Sequence, residues 1–167
     1  MMDWNDPPPN QPASNPPNIS AMTRVLQIVV GALIFGVLMF AGFVIATQLN
    51  NPPRQTGITT IAIGFAAVNV FLHFVVPGII ERTALKNLSI DAGPETMVGV
   101  FFTRTIIACA LLEGAALLSI YAVMADQQYW VFGVTAVLLA LMGMQFPSRT
   151  RIEQWLETRM MEREQGA

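Results

Sequence analysis

Charged side chains are scarce in this chain. Asp, Glu, Lys and Arg together make up 12% of 167 residues, against about 25% in an ordinary soluble domain. There is one cysteine, Cys109, and one histidine, His73. A lone thiol excludes an internal disulfide, and one histidine with one cysteine leaves few ways to assemble a metal site, so neither metal nor cofactor is expected. Cys109 sits inside an apolar run and reads as a small buried residue. The net charge of −2 offers no basic surface of the kind nucleic acid requires, so no nucleic-acid partner is expected. A Gly-rich phosphate loop, CxxC, HExxH and a nucleophile elbow are all missing, and no polar clusters mark the span ends. A non-enzymatic protein is expected.

What the chain has is apolar sequence, 53% of it, gathered into four blocks. The expected fold is all-α: a four-helix transmembrane bundle with spans at about 25–47, 58–80, 97–124 and 129–146. Residues 1–23 form a tail with six of the eleven prolines before residue 20. Proline fixes φ and donates no backbone hydrogen bond, so this tail is expected to be disordered. Its Pro9–Asn10–Gln11–Pro12 is a bare PxxP with no neighbouring arginine, and reads as solvated chain. Asp3, Asp6 and the length of the following apolar run argue against a signal peptide.

Ala32–Gly36 and Gly42–Ala46 on the first span are small-xxx-small pairs, expected to let a neighbouring helix approach closely. On the second span Asn69 and His73 share a face. Pro77, which cannot donate to the His73 carbonyl, predicts a kink. A hydrophilic loop, 81–96, is expected between spans two and three. The turn Ala125–Gln128 is short enough to force spans three and four into an antiparallel hairpin, opened by Tyr129 and Trp130 at the interface.

After Pro147 the pattern changes. Ser148 is a candidate N-cap for residues 148–164, with Ile152, Trp155, Leu156 and Met160 at i, i+3, i+4 and i+8. This segment is too polar to cross a bilayer and reads as an amphipathic helix on the membrane surface or docked to a partner, with Trp155, Arg151 and Arg159 as membrane-surface candidates. Lys and Arg concentrate on the side holding Arg24, Arg82, Lys86, Arg149, Arg151, Arg159 and Arg163, against Arg54 alone on the other. Both termini are therefore expected in the cytoplasm.

The intramembrane polar candidates are Glu113, Asn69, His73, Thr135 and Arg104. A carboxylate at mid-span is costly and is normally protonated, paired or hydrated. Nine residues separate Arg104 from Glu113, about 180° around the helix and about 13 Å along it, so the two cannot pair. Arg104 is expected to snorkel to the headgroups or to pair with the 81–96 loop. Counting depth puts Asn69 and Thr135 within about one turn of Glu113, and a hydrogen-bonded midplane layer of the three is expected. Two readings follow. In the first, Glu113 holds the bundle in register and the protein is structural, or accessory to a membrane complex. In the alternative, Glu113 and His73 are stations in a small ion or proton conductor.

Two resemblances add to this. The segment ALLEGAALLSIYAVM, with Pro94–Glu95 and Arg104 upstream, is similar to the carboxylate-bearing helix of rotary ATP synthase subunit c, in which the matching glutamate carries the translocated ion. The repeated GxGxG pattern of that family is missing and the acid lies in the third of four spans, so the ion-binding role is not carried over. TRVLQIVVGALIFG, TRTIIACALLEGAA and FPSRTRIEQWLE, with the proline-rich start, resemble a family of small four-span bacterial membrane proteins of unknown function. That resemblance implies four helices in a bacterial cytoplasmic membrane. The partners to expect are the lipid bilayer and either a second copy or another membrane protein.

Overall fold

The computed structural model describes residues 19–48, 52, 54, 56–88 and 94–166. The expected PxxP segment lies outside these. Five helices follow in order: α1 Ile19–Gln48, α2 Ile58–Asn87, α3 Pro94–Asp126, α4 Phe132–Met144 and α5 Arg149–Gly166, with one 3₁₀ turn, Tyr129–Val131, leading into α4. There is no strand among the described residues.

Among the described residues three helices are long and apolar enough to cross a membrane alone: α1, α2 and α3. Thirty residues reach about 45 Å, well beyond a hydrocarbon core of about 30 Å. The fourth is shorter. With its 3₁₀ turn, α4 covers only about 25 Å, and it counts as a crossing only together with the segment bent from it by 63°. Its ends are nevertheless tied to both ends of α1. The Tyr129 hydroxyl donates to the Gln48 carbonyl at 2.7 Å, and the Gln27 amide donates to the Pro147 carbonyl at 2.9 Å. Gln27 and Gln48 are about 30 Å apart along α1, so Tyr129–Pro147 traverses the same slab in an up–down–up–down bundle.

The third helix is the hub. Half of its most apolar window is buried, against 17% for α1 and 22% for α2. Its small residues Ala108, Cys109, Ala115, Ala116, Ser119 and Ala122 are buried among the neighbouring helices, and van der Waals contact of this kind is what holds helices together in lipid. On α1 the buried residues Leu26, Val30, Val37 and Val44 recur at four- and seven-residue steps, a heptad-like seam. The small-xxx-small pairs lie off this seam. Ala32, Gly36, Gly42 and Ala46 are all exposed, because the β-branched stripe on the opposite side faces α3.

Three helix ends differ from expectation. The second helix continues to Asn87 and the third starts at Pro94, so most of the expected 81–96 loop is helical. Polar composition marks where the bilayer ends, not where the helix does, and Glu81-Arg82-Thr83-Ala84-Leu85-Lys86 is rich in helix formers. Likewise α1 begins at Ile19, inside the expected tail. The second helix runs through Pro77 unbroken.

Candidate functional site

The buried residues of α2 are Ala62, Ala66, Asn69, His73, Pro77 and Glu81, and the last four are spaced by four. They form one stripe, and it is the polar one, while Phe65, Phe71, Phe74 and Ile79 are exposed. In lipid this inversion is expected, since the apolar face is the one that suits the solvent.

Glu81 ends the stripe and gathers three elements. Its side chain is 6% exposed. Arg104 of α3 donates to Oε2 at 2.6 Å. On Oε1 it accepts from Arg159 Nη2 at 2.6 Å, Arg159 Nε at 3.1 Å and Trp155 Nε1 at 3.1 Å, all from α5. The carboxylate is thus satisfied by two guanidiniums and an indole, which is what a buried charge requires. Hydrogen bonds to Glu162 and then to Glu81 push the Arg159 guanidinium further above its ordinary value, against the opposing effect of burial. Arg104 therefore pairs with a residue of the expected 81–96 segment. Glu81 lies just past the expected end of the second span, where polar composition reads as a loop. Its four-residue spacing from Pro77, on the face of Asn69 and His73, was the signal that identifies it.

The same cluster docks α5. Ile152 and Leu156 are buried, and the Trp155 ring lies 5.5 Å from that of Phe101. Ser148 caps the helix, its Oγ accepting from the Arg151 N–H at 3.3 Å. The amphipathic helix is real, but its apolar face lies on its own bundle, with only Met160 of the expected stripe left exposed. Trp155 and Arg159, expected at the membrane surface, are turned onto Glu81. Arg151 donates through Nη1 to the Met144 carbonyl at 2.9 Å.

One helical turn below Pro77, His73 Nδ1 lies 3.1 Å from the Ala108 carbonyl and Nε2 lies 2.7 Å from Gln145 Nε2. A carbonyl only accepts, so the ring proton sits on Nδ1 and Nε2 accepts from the Gln145 amide. His73 thereby ties α2 to α3 and to the elbow between α4 and α5. Between these elements a cavity of about 320 Å³ opens, lined by His73, Phe74, Gly78, Arg104, Gln145 and Arg151 among others.

The expected midplane layer is not formed. Asn69 donates to the Phe65 carbonyl of its own helix at 2.9 Å, and Thr135 Oγ1 is buried without a partner among the described residues. Glu113 is partly exposed and has no hydrogen-bond or ion-pair partner among the described residues. Depth alone placed these three at one level, but azimuth separates them. Ala108, which meets His73, and Glu113 differ by five residues, about 140° around α3.

At the opposite end Asp126 performs a further task the sequence did not disclose. Its Oδ1 accepts from the Thr56 N–H at 2.8 Å and from the Thr56 hydroxyl, and its Oδ2 accepts from the Thr59 N–H at 2.8 Å. The start of α2 has Gly57 at φ 83° and no side-chain cap of its own, so the cap comes from the end of α3. In the adjoining turn Gln127 takes φ 56°, and its buried amide donates to Gln48 Oε1 and to the Met124 carbonyl.

No protein-family model matches the chain, and no curated protein or solved structure is significantly similar to it.

Proposed function

We propose that this multi-pass membrane protein is a non-enzymatic structural or accessory component of a membrane assembly, with the α5 end in the cytoplasm of a bacterial cell. The observation that carries this reading is the anchoring of α5 by Glu81. Trp155 and Arg159 of α5, donating to a buried carboxylate that also holds Arg104 of α3, fix the helix as a platform whose outer face, with Arg149, Glu157 and Thr158 exposed, is presented to a partner. The orientation rests on charge. Arg24, Arg82, Lys86, Arg104, Arg149, Arg151 and Arg159 lie at the α5 end and Arg54 alone at the other, which the positive-inside rule assigns to the cytoplasm. The bacterial setting rests on the resemblance of the TRVLQIVVGALIFG and FPSRTRIEQWLE segments.

Cysteine labelling tests both parts. With Cys109→Ala as background, an impermeant maleimide on right-side-out vesicles should label Arg54→Cys and reach Thr158→Cys only after permeabilisation. The reverse pattern would invert the topology. A photoreactive maleimide at Thr158→Cys should give a discrete protein adduct in native membranes, and its absence would remove the accessory role.

A second reading, a conductor using Glu113, is favoured by one observation: a mid-span carboxyl with no hydrogen-bond or ion-pair partner among the described residues. Against it, the polar stripe of α2 stops at Asn69, and Ala66 and Ala62 occupy the buried face beyond. Conduction would then require a second copy. Glu113→Gln should change unfolding free energy by less than about 0.5 kcal/mol, as for a site without specific partners. A proton flux in proteoliposomes that this change abolishes would establish the conductor.

A further inference from the structure

We infer that the cavity between α2, α3 and the α4–α5 elbow is a binding site for the phosphate of an anionic glycerophospholipid. Three features point to it. The first is charge. Arg104 and Arg151 line the cavity and no carboxylate does. Arg104 reaches Glu81 through Nη1 and Arg151 reaches the Met144 carbonyl through Nη1. The remaining nitrogens of both have no acceptor among the described residues, and Arg151 has no carboxylate partner there. Guanidinium forks match phosphate geometry and bind it bidentately.

The second feature is depth. Arg104 is 22 positions before Asp126, about 33 Å along α3, which places it at the far boundary of a hydrocarbon slab about 30 Å thick. Lipid phosphates reside at that level. The third is the mouth. Phe74 lines the cavity yet is 68% exposed, on the lipid-facing side of α2, so the opening meets acyl chains directly. Phe101 and Trp155 supply apolar walls for the glycerol region. At about 320 Å³ the space falls in the lower range of small-molecule sites, suited to a head group whose tails remain in the bilayer. A soluble phosphate shares the head-group chemistry but has no use for the lipid-facing mouth.

The test is native mass spectrometry on the full-length protein in detergent, titrated with phosphatidylglycerol, phosphatidylcholine or inorganic phosphate. Phosphatidylglycerol should remain bound in preference to phosphatidylcholine. Arg151→Gln should weaken it about tenfold, the loss expected for one charge-assisted contact. Arg149→Gln removes the same charge from the same helix but lies outside the cavity lining, and should leave binding unchanged. Gly78→Leu provides an independent block, because a Cβ there meets nothing within 4 Å. It should fill the cavity and reduce lipid retention while leaving thermal unfolding in place. Equal losses in Arg151→Gln and Arg149→Gln would reduce the effect to diffuse surface charge and overturn the proposal. Equal retention of the two lipids would also overturn it. Binding of inorganic phosphate that depends on Arg151, without retention of lipid, would replace the lipid by a soluble anion.

Discussion

Glu81→Ala should release α5 from the bundle while the apolar helices remain folded. The substitution leaves Arg104, Arg159 and the Trp155 indole without their shared acceptor. Breaking a fully buried ion pair costs about 3–5 kcal/mol. The Arg104 and Arg159 side chains are 39% and 32% exposed, so water compensates for part of the loss. An intermediate cost of about 2 kcal/mol follows, enough to raise the undocked population of α5 about thirtyfold. Tryptic cleavage after Arg159 should accelerate by a similar factor where docking and undocking are fast relative to cleavage. Glu81→Gln, which keeps an acceptor but loses the charge, should fall between. An unchanged cleavage rate in Glu81→Ala would mean that Ile152 and Leu156 hold the helix without it.

The second large effect belongs to the other end of the bundle. Asp126→Ala removes the acceptor of the Thr56 N–H, just ahead of the helix, and of the Thr59 N–H, a donor left over in the first turn of α2. Loss of an N-cap side chain costs about 1–2 kcal/mol, and here it also unties α3 from α2. Amide hydrogen exchange at Thr59 should quicken about tenfold, with exchange in the centre of α3 unaltered. Asp126→Asn retains an amide oxygen and should keep much of the protection. No change in Asp126→Ala would show that Gly57 and the connecting segment hold the first turn unaided.

Which of these features the sequence reveals depends on the physical signal each one carries. Hydropathy located the apolar blocks and the amphipathic character of the last segment, because burial in lipid is set by composition over about twenty residues. It misplaced the C-terminal end of α2, since residues 81–87 leave the bilayer without leaving the helix. The α1 seam ran along Leu26, Val30, Val37 and Val44 and not along its small residues, because either face satisfies helix packing and only the partner surface of α3 decides. Depth counting set Glu113, Asn69 and Thr135 level but carried no azimuth, so the hydrogen bonds expected among them are not there. Asp126 as a cap for a helix that begins 68 positions earlier left no local trace, since capping rules consider only residues next to the helix they cap. Glu81 was within reach: the four-residue step from His73 through Pro77 points to it, once the helix is allowed to continue.

In this fold α5 is fixed to the bundle and does not float on the membrane. A distance measurement between spin labels tests it most directly, with one label at Thr158 on α5 and one at Arg82 on α2, both exposed, and Cys109 replaced by alanine. A docked helix predicts a single narrow distance distribution in the otherwise unaltered chain, broadened by Glu81→Ala. A broad distribution before Glu81 is touched would mean that α5 is not docked.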